Sequence, residues 1–220
     1  MNDSLQLFYD RLALGVFSMT QTSSSLVLGV DEFLTRYGDN PRYELADGAL
    51  IDRSPTGLHE TTAGKIASQL SIEIDRQGHP WIIPRTCLLR PFADIATARR
   101  PDVVVLDEPA LVNEPLWERE PVITLGSSVK LVVEVVSTNW ETDYARKVEE
   151  YALFGIPEYW IVDYRGLGGR VFIGSPKQPT FTVCRLVGED YQQQRYRLGE
   201  AIDSPLLPQL TLRLDDVMPR

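Results

Sequence analysis

The stretch LVVEVV, residues 131–136, decides the fold of this chain. Its run of β-branched residues is typical of a strand buried in the middle of a sheet. A similar run, DVVVL at 102–106, precedes it, and YWIVD at 159–163 follows it after a glycine and a proline. We therefore predict a sheet with buried strands as the centre of the molecule.

One helix is predicted before the strand at 131–136 in the chain, and another after it. Apolar residues recur at three- and four-residue steps between Leu58 and Gln77, and Gly78 follows. A second helix is expected after the strand, ending near Phe154 before Gly155. Strands and helices that alternate along the chain indicate the α/β class.

The remaining segments complete the predicted layout. A short helix over Asp31 to Arg36 opens the main domain, and Asp47-Gly48 is a hairpin signal. The proline-containing segment Asp107 to Ser128 is interpreted as a long surface excursion. Three strands of an antiparallel β extension are predicted near the end of the chain: residues 171–173, 181–186 and 191–198. Residues 1–28 are expected to form an N-terminal arm or an added helix, and residues 29–220 a single domain.

Composition and charge exclude several classes of protein. The 220 residues carry 22 basic and 31 acidic side chains, a net charge of −9, which argues against broad attraction to nucleic acid but permits a local basic groove.

No apolar run has the length of a membrane span, and we expect no signal peptide. Cys87 and Cys184 lack metal-binding spacing and no GxSxG motif occurs, so a zinc knuckle, a disulfide scaffold and a serine or cysteine hydrolase have little support. A cytoplasmic location is expected.

Two carboxylates belong to the buried strands. Glu134 interrupts one apolar strand and Asp102 begins the other. A buried charge must be paired, hydrogen-bonded or metal-bound, and two carboxylates side by side favour a cation such as Mg²⁺ between them. Alternatives remain open: Asp102 is also suited to a turn after Pro101, and Glu134 to the polar face of an edge strand.

The second helix carries a basic candidate. Asp143, Lys147 and Tyr151 follow at steps of four and lie on nearly one helix face. Lys147 could orient a water or stabilise charge on a phosphate, or it could simply form an exposed ion pair with Asp143. Glu44 and His59 are further candidates for the cleft, although Glu44 also fits an exposed strand carboxylate and His59 a helix cap.

Taken together, five segments resemble the Uma2 family of restriction-endonuclease-like proteins, of the type abundant in cyanobacteria. The resemblance covers about residues 30 to 200, and its order and composition are more specific than any single segment. The segments are Tyr43-Glu44-Leu45-x-Asp47-Gly48, PDVVV at 101–105, VEVVS at 133–137, Asp143-Tyr144-x-x-Lys147 with Tyr151, and GIPEYWIVD at 155–163.

The resemblance implies a restriction-endonuclease-like core, a mixed central sheet flanked by helices, with the PD-(D/E)xK type of nuclease site. Asp102 and Glu134 would be ligands of Mg²⁺ or Mn²⁺, together with the carbonyl of Val135. The lysine usually found two residues after the glutamate is replaced by Val136. In this family a lysine from the next helix is thought to substitute, and Lys147 matches it. Glu44 matches a further acidic position of the site.

Two functions follow from these residues. The first is a metal-dependent endonuclease that hydrolyses DNA phosphodiester bonds, with phosphates received by an arginine-rich face of Arg85, Arg90, Arg99 and Arg100. The second is a catalytically inactive nuclease-like module for binding or assembly, which the acidic balance and Val136 favour. A homodimer is expected, with Tyr159, Trp160, Val171 and Phe172 as one candidate contact face, although the same residues also suit core packing.

Overall fold

The structure of the protein is a computed structural model, and it describes residues 27–220. The predicted N-terminal arm therefore lies, except for its last two residues, outside the described part. Of those two, Leu28 is buried and its N–H donates a hydrogen bond of 2.8 Å to the carbonyl of Gly48. The end of the predicted arm thus packs on the hairpin.

A six-stranded mixed sheet forms the centre, as the sequence predicts. Its strands are β3 (Trp81–Ile82), β5 (Val103–Asp107), β7 (Val129–Val135), β8 (Glu158–Asp163), β9 (Thr180–Val187) and β10 (Asp190–Tyr196). Their order across the sheet is β10-β9-β8-β7-β5-β3, in which only β7 and β8 run parallel and the other neighbours are antiparallel.

Among the residues that the structure describes, five α-helices accompany the sheet: α1 (Val30–Tyr37), α2 (Gly57–Gln77), α3 (Lys147–Phe154), α4 (Arg170–Ile173) and α5 (Leu214–Val217). Thr56 accepts a hydrogen bond from the N–H of His59 at the start of α2, and Gly78 ends it in the left-handed conformation. No helix among residues 27–220 is long and apolar enough to cross a membrane.

Strand side chains alternate between two apolar cores. Ile66 and Leu70 of α2 pack on Val133 and its neighbours on one face of the sheet. Tyr151 of α3 packs with Val132 on the other face. The molecule therefore has a helix–sheet–helix arrangement.

Two small sheets lie beside the central one. Strands β1 (Tyr43–Ala46) and β2 (Ala49–Asp52) form the predicted hairpin, whose turn residues Asp47 and Gly48 both have positive φ, as a tight hairpin requires. Strands β4 (Leu88–Leu89) and β6 (Val122–Ile123) pair in parallel. Phe33, Leu45, Leu88 and Val122 join these elements in a third apolar cluster.

Two sequence-based predictions differ from the structure. Residues 171–173 are part of α4 rather than a strand of the extension, because the segment closes a helical turn between Gly169 and Gly174. The segment 107–128 is not wholly a surface excursion: Leu111 is buried, and β6 within it is buried because it pairs with β4.

Candidate functional site

Asp102 and Glu134 meet at one end of β5 and β7. Val103 pairs with Val133 in antiparallel register. Asp102, which precedes Val103, therefore lies opposite Glu134, which follows Val133. A hydrogen bond joins the two strand ends: the N–H of Val135 donates to Oδ2 of Asp102 at 2.7 Å. Both carboxylates line a cavity of about 530 Å³.

Glu134 is almost completely buried, with 1% of its surface exposed. Its Oε1 accepts a 2.7 Å hydrogen bond from the hydroxyl of Tyr151 and lies 3.0 Å from Nζ of Lys147. Burial, with the neighbouring charge of Asp102, outweighs the effect of Lys147 and raises the pKa of Glu134 to about 7. Near neutral pH this carboxyl therefore changes its protonation state.

Lys147 enters the site from the start of α3. One turn of π-helix, Thr142–Arg146, precedes α3, and it leaves Asp143 and Lys147 both facing the cavity. Nζ of Lys147 lies 3.0 Å from Oδ1 of Asp143 as well as 3.0 Å from Glu134. Burial opposes the charged form, but the charges of Asp143 and Glu134 raise the pKa of Lys147, which stays protonated.

Asp102 is held by two side chains from outside the sheet, those of Arg53 and His59. Oδ1 accepts a hydrogen bond from Arg53, and Oδ2 lies 3.1 Å from Nε2 of His59. The same Nε2 lies 2.9 Å from the carbonyl oxygen of Val135. Burial works against ionisation, yet the His59 hydrogen bond and the charge of Arg53 lower the pKa of Asp102. Asp102 is therefore the more readily ionised of the two central carboxylates.

Glu44 reaches the same cavity from β1, and it is buried rather than exposed as an ordinary strand carboxylate would be. Its Oε1 lies 3.0 Å from Nη1 of Arg99, and Oε2 accepts a 3.3 Å hydrogen bond from the N–H of Arg100. Burial opposes ionisation, but Lys147 and Arg99 lower the pKa of Glu44. Glu44 belongs to the cavity wall together with Arg99.

Arg99 and Arg100 do not form the exposed basic face that the sequence suggested. Arg99 is 1% exposed and spans Glu44 and Glu150, with Nε 2.7 Å from Oε2 of Glu150. Arg100 is also buried and donates to main-chain oxygens. Both guanidiniums bind partners inside the protein. The prediction that Arg99 and Arg100 receive phosphates on an exposed face is therefore wrong.

The donor set fits a hard divalent cation in its chemistry. Two carboxylates and a main-chain carbonyl, from Asp102, Glu134 and Val135, are oxygen ligands of the kind that Mg²⁺ and Mn²⁺ prefer. Among residues 27–220, however, no three Asp, Glu, His or Cys side chains are arranged as a ready-made metal cluster. Arg53 and His59 instead contact the carboxylate of Asp102 in this conformation.

Sequence reasoning missed Arg53 and the link between Arg99 and Glu150. Arg53 follows a hairpin strand with no motif around it, and only its position beside the strand that carries Glu44 hints at the cavity. Glu150 could have been found, since it lies three residues after Lys147 and therefore on the same side of α3.

The fold defined by these elements is that of nuclease-like proteins. A solved structure described as a "putative nuclease belonging to DUF820" from Anabaena variabilis ATCC 29413 superimposes with a TM-score of 0.63. The two chains are 16% identical, and the match covers 86% of this chain and 97% of that one. At this identity the likeness concerns the fold alone.

The chain belongs to the Uma2 family. The family model, described as "Putative restriction endonuclease", matches residues 30–215. This match confirms the resemblance that the five sequence segments indicated. No curated protein matches the chain.

Proposed function

We propose that this protein is a Mg²⁺- or Mn²⁺-dependent endonuclease that hydrolyses DNA phosphodiester bonds. The observation that carries the proposal is the meeting of Asp102 and Glu134 in one cavity, with the ammonium of Lys147 3.0 Å from Glu134. Membership of a family whose description is "Putative restriction endonuclease" supports the same reaction.

In the proposed site Asp102, Glu134 and the carbonyl of Val135 hold the divalent ion. When bound, such an ion polarises the phosphate and lowers the pKa of a coordinated water. For a metal to reach these oxygens, Arg53 and His59 have to give up their contacts with Asp102. We expect both side chains to turn towards the open cavity that they line.

Lys147 supplies a fixed positive charge. Asp143 holds its ammonium from one side, and the π-turn sets the direction from which it enters the cavity. A buried ammonium that stays protonated stabilises negative charge that develops on a phosphate in the transition state. This role replaces that of the lysine usually found where Val136 stands.

The test is nicking of supercoiled DNA by the purified protein with Mg²⁺, Mn²⁺ or a chelator. We expect metal-dependent nicking that Asp102→Ala and Lys147→Met each reduce by at least about a hundredfold. Asp107→Ala is the matched control, because Asp107 lies at the opposite end of β5 from Asp102, pairs with Lys130 at 2.9 Å and does not line the cavity. Equal nicking by Asp102→Ala and the wild type would reject the proposal.

A binding or assembly module without catalysis is the second candidate. It is favoured because chain cations already pair with the cavity carboxylates: Arg53 with Asp102, Lys147 with Glu134, and Arg99 with Glu44. The two candidates differ in metal binding. A ligand that binds the folded state raises its melting temperature, so a Mn²⁺ titration with no thermal shift and no nicking would favour the module.

We further propose that the protein acts in the cytoplasm as a homodimer, with residues 29–220 as one domain. Tyr159 and Trp160 are fully buried in the two cores, so they cannot contact a partner. Strand β10 is the better candidate, because it ends the central sheet and exposes Gln192 to Arg195. Light scattering should give a dimer mass for the wild type and a monomer mass when Gln192 and Gln194 are both lysine.

A further inference from the structure

Arg165 is an unpaired cation on the wall of the cavity. It is exposed and lies in the loop that follows β8. Within residues 27–220 it has no carboxylate or other hydrogen-bonding partner. Four other cations line the same cavity, and each has an acidic partner: Arg53, Arg99, Arg146 and Lys147. Arg165 therefore has its full charge available for a ligand.

The loop that carries Arg165 is held firmly. Asp163, which is fully buried, accepts hydrogen bonds from the N–H groups of Leu167 at 2.9 Å and Gly168 at 2.8 Å. Gly168 also packs so closely that a Cβ there would lie 2.9 Å from the ring of Tyr144. Tyr144 belongs to the π-turn just before Lys147, so the main chain of this loop is fixed relative to the candidate site.

We propose that Arg165 binds a backbone phosphate of the DNA duplex next to the bond that is cleaved. This inference rests on the proposed function and states how the protein binds its substrate. A guanidinium matches the oxygens of a phosphate with two parallel hydrogen bonds. Because the chain carries a net charge of −9, the attraction for DNA has to come from local cations, and Arg165 is one that no internal carboxylate neutralises.

The cavity wall favours contacts with phosphates over contacts with bases. Tyr164 is the one Phe, Tyr or Trp among its described lining residues, and only 7% of its surface is exposed. Single-stranded nucleic acid is usually held by bases stacked on exposed aromatic rings. The wall offers no such ring within residues 27–220, so a duplex held through its backbone is the expected substrate.

The test is binding of a short labelled duplex by fluorescence anisotropy in chelator, at several salt concentrations. One lost phosphate contact lowers the slope of log affinity against log salt by ~0.9. We expect Arg165→Ala to show this change and to bind about tenfold more weakly, while Arg165→Lys keeps the slope but not the full affinity. Arg170→Ala is the matched control, because Arg170 is exposed five residues later and does not line the cavity.

Several results would overturn the inference. The inference fails if Arg165→Ala shows the same slope of log affinity against log salt as the wild-type protein. It also fails if Arg170→Ala loses as much duplex affinity as Arg165→Ala, or if the wild-type protein binds no duplex. Tighter binding of a labelled single strand would overturn the duplex as substrate. The proposed function fails separately: a protein whose duplex binding depends on Arg165 but that nicks no DNA with Mn²⁺ would retain the phosphate contact and lose the nuclease activity.

Discussion

Replacing Glu134 by glutamine is expected to stabilise the metal-free protein above neutral pH. Burial and the nearby Asp102 raise the pKa of Glu134 from its ordinary 4.5 to about 7. A carboxyl whose pKa is higher in the folded state binds more protons there, so stability falls as pH rises from about 4.5 to about 7. At ~1.36 kcal/mol for each pH unit of this interval, the wild type loses about 3 kcal/mol of unfolding free energy.

Glutamine has nearly the same shape as the neutral acid and still accepts the hydrogen bond from Tyr151. Lys147 keeps its hydrogen bond to Asp143. We therefore expect Glu134→Gln to be more stable than the wild type by about 3 kcal/mol near pH 8 but by under about 1 kcal/mol near pH 5.

Urea denaturation followed by tryptophan fluorescence, in chelator and across this pH range, measures the difference. Glu141→Gln is the matched control, since Glu141 is an exposed carboxylate just before the π-turn. Addition of Mn²⁺ should stabilise the wild type and have little effect on Glu134→Gln. If Glu134→Gln were less stable than the wild type near pH 8 in chelator, the reasoning about this buried charge would be refuted.

Three further outcomes concern the scaffold around the site. Arg99→Ala should cost about 3 kcal/mol in urea denaturation because it removes the buried guanidinium that joins Glu44 to Glu150, leaving Arg53 at 3.9 Å from Glu44 and Arg146 at 2.6 Å from Glu150. Arg99→Lys should not restore the loss, since an ammonium lacks the guanidinium fork. Gly126→Ala should cost about 3 kcal/mol or more by the same assay, because a Cβ there would lie 1.6 Å from the carbonyl oxygen of Phe154. A thiol reagent near pH 8 should react slowly with the folded chain and rapidly with both cysteines in urea, since both thiols are buried and burial raises the pKa of Cys87 to about 12. Fast labelling of the folded chain would contradict this expectation.

Most of the central fold could be predicted from the sequence, because burial leaves a strong pattern there. The apolar runs within 102–106 and 131–136 form most of β5 and β7 because both faces of the sheet are covered, and α2 shows the spacing of a helix with one buried side. The strand predicted at 171–173 is wrong because three apolar residues are compatible with a strand or with a helical turn, and only the surrounding glycines distinguish the two.

Less of the site could be predicted, because its contacts depend on residues distant in sequence. Lys147 and Tyr151 follow from helical spacing, and the structure brings both to Glu134. Arg53 has no such pattern: it contacts Asp102, 49 residues away, because the hairpin folds against the strand ends. The assignment of these residues to metal binding and catalysis stays a prediction.

Val135 contributes to the site through its main chain alone. Its N–H contacts Asp102 and its carbonyl contacts His59, while its side chain is buried in the core beneath α2. Exchange of the side chain for another aliphatic one would alter packing without removing either polar group. A library of variants at this position could therefore tune thermal tolerance while leaving the chemistry intact, whereas proline, which lacks the N–H, would disable the contact with Asp102.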